Sequence, residues 1–171
     1  MDLQEVYNII HKVADGFEEN ALQCLDNQSD KIVEAIREQI YGGQNGNGES
    51  LSPTYDNDPF FEEKGIWHRR SQQYKAWKKN LPPRNGSSLL GLPPRQDNVP
   101  NLYIDGTFYS EISATRRGDI LYVSPGNGNG PAIVAKYGES LLDIGDSAVA
   151  YFNREFLLPA IEKFFNDCGY R

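Results

Sequence analysis

Residues 101–125 constrain the fold more than any other part of the sequence. This stretch, NLYIDGTFYSEISATRRGDILYVSP, alternates apolar and polar residues in three short runs separated by Asp105-Gly106 and Arg117-Gly118. Alternation with a period of two is typical of strands that bury one face, and two-residue turns join antiparallel strands. Parallel strands would need crossovers of about a dozen residues, for which there is no room. The stretch therefore predicts an antiparallel meander of three strands.

Two amphipathic helices are predicted before this meander. Apolar residues recur at helical spacing in the first helix, which we expect to end near Gly16. The second helix is expected to begin at Ser29 or Asp30 and to end after Tyr41, where two glycines follow. The apolar faces consist of Leu3, Val6, Tyr7, Ile10 and Val13 in the first helix, and of Ile32, Val33, Ile36 and Ile40 in the second.

A third amphipathic segment follows the meander, over residues 146–167, and its apolar side chains lie close to one helical face. Pro159 should bend or divide this helix, because proline lacks the amide donor and clashes with the preceding turn. A helix with so apolar a face is best buried against the sheet. The sequence therefore predicts an α+β fold, in which N-terminal and C-terminal amphipathic helices pack on a small antiparallel sheet.

The domain organisation expected from the length is a single α+β domain over residues 1–171, with a long loop insertion at about 42–100. The first part of the insertion is rich in turn residues and predicts a loop or a small hairpin. Residues 69–81 predict a short helix that stops at the two prolines that follow. Residues 82–100, PPRNGSSLLGLPPRQDNVP, predict an extended arm, since irregular segments of this length usually serve a function.

The charge balance argues against a nucleic-acid-binding protein. The chain has 17 basic and 24 acidic side chains, a net charge of −7, whereas phosphate recognition requires clustered lysines and arginines. The N-terminal residues are acidic and amphipathic, and no apolar run reaches the ~20 residues that span a bilayer. We therefore expect a soluble protein made in a cytoplasm. In that compartment Cys24 and Cys168 should be reduced, half-buried thiols.

The glycine-rich segment YVSPGNGNGPAIVAKYG, residues 122–138, has the general order of a phosphate-binding loop but not its signature. The spacing of Gly126, Gly128 and Gly130 matches neither known glycine pattern, and Lys136 is followed by a tyrosine. The preceding strand belongs to a predicted hairpin and not to a βαβ unit. We therefore interpret the segment as a mobile surface loop.

The sequence predicts no catalytic, metal-binding or cofactor-binding residues. Its only histidines, His11 and His68, lie far apart in the sequence, and neither belongs to a recognisable catalytic triad or metal-binding motif. The segment SPTYDNDPFFEEKG has enough carboxylates for a paired-acid hydrolase, although a solvated acidic turn is the simpler interpretation. Those carboxylates belong to Asp56, Asp58, Glu62 and Glu63.

Apolar residues in the irregular regions are the more unusual feature. They must be covered by the domain itself or by neighbouring subunits, because exposed apolar patches promote association. Long segments with apolar anchors are typical of assembly proteins. The residues are Phe60, Phe61, Ile66, Trp67, Leu89, Leu90 and Leu92.

Three short motifs over about residues 100–167 occur in an order that resembles tail-completion and neck proteins of long-tailed bacteriophages. DGTFYSEI corresponds to a hairpin segment of that family, GPAIVAKYG is similar to its "..Y...vEyGt" turn, and LLPAIEKFF is similar to its closing helix. The chain departs from the family in the insertion at 42–100 and in having Lys136 where the turn is commonly acidic.

The resemblance implies a virion structural protein and not an enzyme. Proteins of that family form a ring at the head-to-tail junction, between the connector and the tail tube, without a cofactor. The implied partners are further copies of the chain and neighbouring neck, portal or tail-tube proteins, with DNA passing through the lumen without sequence-specific binding and no role for a membrane. The implied location is the virion, assembled in the cytoplasm of the bacterial host. The alternative is a small hydrolase with an acidic site around residues 56–63.

Overall fold

The computed structural model describes residues 2–86 and 88–170 and begins with two helices, α1 (Leu3–Asn27) and α2 (Ser29–Tyr41). It is about 54% helical with a small two-stranded antiparallel sheet, which confirms the predicted α+β class. The remaining elements in chain order are a 3-10 turn (Pro59–Glu62), α3 (Ser71–Lys79), α4 (Thr107–Glu111), β1 (Ser113–Arg117), β2 (Ile120–Ser124), α5 (Gly130–Tyr137), a second 3-10 turn (Glu139–Leu142), α6 (Asp146–Phe152), a π-helical turn (Asn153–Leu157) and α7 (Leu158–Cys168).

Helix α1 is longer than predicted, because Gly16 does not end it. The helix begins at a capping box, in which Asp2 accepts a hydrogen bond from the Glu5 amide and Glu5 accepts one from the Asp2 amide. At Gly16 the helix packs against the ring of Phe164 in α7, and a Cβ there would lie 3.0 Å from that ring. The glycine thus serves close helix contact and not termination.

Helix α2 supplies the centre of the core, and its predicted bounds are confirmed. Ile36 and Ile40 are fully buried, and the helix lies across the inner face of β1. The core continues through Leu51 of the insertion and Leu141 of the second 3-10 turn to Phe152 of α6. Helix α2 is therefore the element around which the other parts of the chain pack.

The sheet has two strands in the described residues, so the prediction of three strands was wrong. β1 and β2 pair antiparallel, with Ser113 opposite Ser124, and the turn between them is Gly118-Asp119, one residue later than the predicted Arg117-Gly118. Residues 107–111, expected in a strand, form the short helix α4 instead. Phe108 and Tyr109 are adjacent and both buried, which a helix allows and a strand with alternating faces does not. The Asp105 carboxylate accepts the Thr107 amide and helps to begin this helix.

The C-terminal helical segment is divided, as predicted, although the π-helical turn precedes the proline. Pro159 lies in the first turn of α7, where its missing amide costs nothing. The glycine-rich segment was only partly a loop, since residues 130–137 form helix α5. Helix α7 runs antiparallel to α1, with Phe164 beside Gly16 and Gly169 beside Ile9.

The insertion is irregular except for the first 3-10 turn and α3, and α3 ends before the prolines as predicted. Within the loop at 44–50, an isolated antiparallel bridge joins Gln44 and Ser50, consistent with a small hairpin. The segment predicted as an extended arm does not project over its whole length, because Glu38 binds the backbone amides of Leu89 and Leu90 and Val99 is part of the core.

Candidate functional site

An apolar stripe along α1 is left uncovered by the rest of the described chain over most of its length. Leu3, Tyr7 and Ile10 are 89%, 57% and 61% exposed, and Phe17 is 40% exposed. Together with Ala14 these residues recur with the alternating spacing of four and three that coiled-coil helices use for packing. We call this set, Leu3, Tyr7, Ile10, Ala14 and Phe17, the exposed seam.

A second seam on the same helix is already occupied. Ile9 and Gly16 contact α7 near Gly169 and Phe164, and Cys24 is buried at the far end of the interface. Burial raises the pKa of the Cys24 thiol, which suits a packing role and not a reactive one. Helix α1 therefore has two adjacent packing surfaces, and α7 covers one of them.

Aromatic side chains extend the exposed seam onto α7. The rings of Phe17 and Phe165 are 6.1 Å apart, and those of Phe165 and Tyr170 are 5.7 Å apart, both in edge arrangements. Tyr170 is 62% exposed. Large aromatic surfaces of this kind are enriched in the cores of protein interfaces. The geometry suits packing against another protein surface better than catalysis.

The acidic segment at 56–63 does not bring its four carboxylates to one place. Asp58 is buried and binds the Lys136 amine at 2.6 and 2.8 Å, while also capping the first 3-10 turn through the Phe60 amide. A hydrogen bond from Lys75 lowers the pKa of Asp56, which is on the surface. Glu62 and Glu63 are exposed. Two of the four carboxylates thus serve ion pairs.

The aromatic residues of the insertion pack mainly on one another. Tyr74 of α3 is the centre of this group, with its ring 5.4 Å from Phe61 and 5.1 Å from Trp67. Burial raises the pKa of Tyr74 to about 12. Phe61 is buried, whereas Phe60 and Ile66 are 42% and 78% exposed. The insertion therefore covers part of its apolar surface and leaves Ile66 uncovered.

The glycine-rich loop before α5 binds a carboxylate of the chain itself. The Gly128 amide donates to Glu111 of α4 at 3.2 Å, and a Cβ on Gly126 or Gly128 would collide with that side chain. The loop that follows β2 thus packs closely against α4. Its position between a strand and a helix could not have been deduced from the glycine spacing.

The histidines and cysteines remain separate from one another. The His11 and Tyr7 rings are 4.2 Å apart in a tilted arrangement, and the His68 ring contacts the Glu63 carbonyl oxygen at 3.1 Å. Both cysteines are free and buried. Among residues 2–86 and 88–170, no group of three or more His, Cys, Asp or Glu side chains could hold a metal ion. None of the described helices combines the length and hydropathy of a membrane-spanning helix.

The exposed seam was visible in the sequence only as the apolar face of a helix. Its division into two seams depends on α7, a distant segment that packs along one seam and reaches the other through Phe165, beside Phe17. Comparisons of the chain with family models, with curated proteins and with solved structures find no match.

Proposed function

We propose that this chain is a virion structural protein, a subunit of a ring at the head-to-tail junction of a tailed bacteriophage. In that role it acts as a tail-completion, tail-terminator or connector protein. The observation that supports the proposal best is the exposed seam of α1, an ordered helical surface that repeats a packing pattern and leaves Leu3, Tyr7 and Ile10 more than half exposed. A surface of this kind is energetically unfavourable in a solitary protein and favourable in an assembly.

The charge of the chain is consistent with this role. DNA that passes through a ring must not bind its wall, and basic surfaces bind phosphates by releasing counterions. The net charge of −7 avoids such binding. The neighbours in the assembly are further copies of the chain together with portal, neck or tail-tube proteins, and assembly takes place in the cytoplasm of the bacterial host.

The test is disruption of the gene in the genome that carries it, followed by electron microscopy of the lysate. A subunit of the junction should leave DNA-filled heads and separate tails, and the wild-type gene supplied in trans should restore joined particles. Supplying the Ile10→Gln variant should restore few of them, because that change places a polar amide in the exposed seam. Joined, infectious particles from the disrupted genome would contradict the proposal.

A further inference from the structure

An apolar cavity of about 540 Å³ opens on the side of the core, between the end of α1, α2, β2, α5 and α6. Its lining is mostly aliphatic, and Ile144 and Val149 at its mouth are 37% and 39% exposed. Glu139 and Asp143 add two carboxylates, and these make no ion pair or hydrogen bond with other side chains of the described residues. The cavity therefore presents an apolar interior beside unpaired negative charge.

A loop of the insertion has the complementary character. Ile66, at 78% exposure, lies in residues 64–70, which we call the basic loop. Lys64, Arg69 and Arg70 are exposed, and their side chains are paired with no acidic group in the described part of the chain. The basic loop thus combines an uncovered aliphatic side chain with three unpaired positive charges.

The basic loop is held in shape before any partner binds. The Arg69 amide donates to the Phe61 carbonyl oxygen at 2.8 Å, and the His68 amide donates to that of Gly65 at 3.2 Å. Trp67 packs on Tyr74 and Trp77, with ring centres 5.1 and 5.3 Å away. A preorganised loop loses little conformational freedom on binding, which favours affinity.

The loop and the cavity lie on different sides of α5. Val134 lines the cavity, whereas Lys136 and Tyr137 face the aromatic group from which the basic loop extends. A loop that meets a different surface of a second copy makes a head-to-tail contact, and repeated head-to-tail contacts close into rings when the rotation allows it.

We propose that the basic loop of one copy inserts Ile66 into the apolar cavity of the next copy, with its arginines and lysine facing Glu139 and Asp143. This inference rests on the proposed ring and names the contact between its subunits. Charge complementarity selects this occupant. The exposed seam of α1 is a less suitable occupant of the cavity. Asp15 and Glu18 on the same helix would bring negative charge to a rim that is already negative.

Charge reversal tests the contact. Arg69→Glu with Arg70→Glu, and separately Glu139→Lys with Asp143→Lys, should each lower the association constant at least about tenfold in analytical ultracentrifugation. The quadruple variant restores complementary charge and should recover most of the association. Lys12→Glu with Lys163→Glu is the control, because it changes the net charge as the arginine variant does but at exposed sites on α1 and α7 that neither belong to the loop nor line the cavity. Equal weakening by the control, or no recovery in the quadruple variant, would overturn the contact.

A cross-link provides an independent test. Ile66→Cys and Ile144→Cys in one chain should give disulfide-linked oligomers on mild oxidation, whereas either variant alone should give far fewer. A wild-type chain that is monomeric at all concentrations, or oligomers that do not cross-link, would overturn the contact. Neither result decides the proposed function, which the gene-disruption experiment tests by the joining of heads and tails.

Discussion

Lys136 of α5 and Asp58 of the insertion form an ion pair, with both carboxylate oxygens within 2.8 Å of the amine. Lys136 follows the glycine-rich loop, and Asp58 lies in the long insertion. The structure joins them, since the lysine supplies the charge that a buried aspartate of the insertion requires. The ion pair therefore ties the insertion to α5.

The pair predicts a specific order of stabilities. Lys136→Met leaves the buried Asp58 carboxylate without its counter-ion and should lower the free energy of unfolding by about 2 kcal/mol. Asp58→Asn keeps an acceptor for the Phe60 amide and leaves a lysine that reaches solvent, so it should cost about 1 kcal/mol. Urea unfolding, followed by tryptophan fluorescence and circular dichroism, measures both values.

The double variant decides whether the pair itself is responsible. Asp58→Asn with Lys136→Met removes both charges and should be more stable than Lys136→Met alone. Strictly additive losses would show that the two side chains act independently. If Asp58 were instead a catalytic group, its substitution would abolish an activity without this dependence on Lys136.

Glu38 fixes the segment that was predicted as an extended arm. Its carboxylate accepts the Leu89 amide at 2.6 Å and the Leu90 amide at 3.1 Å, from a position in α2 that is almost fully buried. Glu38→Ala should release these amides, because no other acceptor in the described structure serves them. We expect hydrogen exchange at Leu89 and Leu90 to accelerate at least about tenfold, since each lost bond to a charged group contributes about 1.5 to 3 kcal/mol.

The control for this experiment is Glu34→Ala, one helical turn earlier, which removes the ion pair with Arg84 but not the contacts to residues 89 and 90. Exchange at those two amides should then stay close to that of the wild-type chain. Equal acceleration in both variants would mean that the segment is held by general packing and not by Glu38.

The sequence predicted the parts of the fold that local rules govern. The ends of α2 and α3 follow from glycine and proline, and the turn between β1 and β2 lies within one residue of the predicted Arg117-Gly118. The errors occurred where distant contacts outweigh local preference. The sequence predicts a helix stop at Gly16 because nothing in it shows that Phe164 packs against this glycine.

The candidate surfaces were harder to predict for the same reason. The alternation of apolar and polar residues around Phe108 resembles that of a strand. Phe108 and Tyr109 are adjacent and both buried, however, and this requires a helix. The cavity consists of residues from six separate parts of the chain, so no window of sequence contains it. The sequence did indicate the uncovered apolar residues Phe60 and Ile66, as side chains in irregular sequence that need a partner.

The contact of Gly16 with Phe164 predicts a dependence between two substitutions. Alanine has a helix propensity about 1 kcal/mol better than glycine, but a Cβ at this position lies 3.0 Å from the phenyl ring. Gly16→Ala should therefore bring little or no gain in the wild-type chain. In a Phe164→Leu background the same change should stabilise by more, and thermal unfolding of the four chains measures the difference. Equal effects in both backgrounds would exclude the steric explanation.

The exposed seam predicts a separation of stability from assembly. Ile10→Gln should change the free energy of unfolding by less than about 0.5 kcal/mol, because the side chain is already largely in solvent. The same variant should lose self-association or binding to neck proteins. Val13→Ala is the matched control, since Val13 is half-buried on the same helix, and it should lower stability while leaving assembly nearly unchanged. Loss of stability in Ile10→Gln without loss of assembly would contradict the function given to the seam.

Lys78 predicts a pH dependence of stability. Burial, with a contribution from the nearby Arg95 charge, lowers the pKa of Lys78 to about 8, and its amine contacts the Tyr103 carbonyl oxygen. In the unfolded chain the pKa returns to about 10.4, so between these values the unfolded chain binds a proton that the folded chain does not. The contribution of Lys78 to stability is therefore full above the unfolded pKa and is lost as the pH falls towards 8.

The measurement is urea unfolding of the wild-type chain and Lys78→Met between about pH 7.5 and 9.5. The free energy of unfolding of the wild-type chain, relative to the variant, should rise with pH across this window. The window ends at about pH 9.5 because burial raises the pKa of Tyr74 to about 12. At higher pH the unfolded chain loses this tyrosine proton before the folded chain does, which lowers the free energy of unfolding. Lys64→Met, at an exposed lysine, should leave the wild-type slope unchanged. Parallel profiles for the wild-type chain and Lys78→Met would show that the amine keeps its proton in the folded protein.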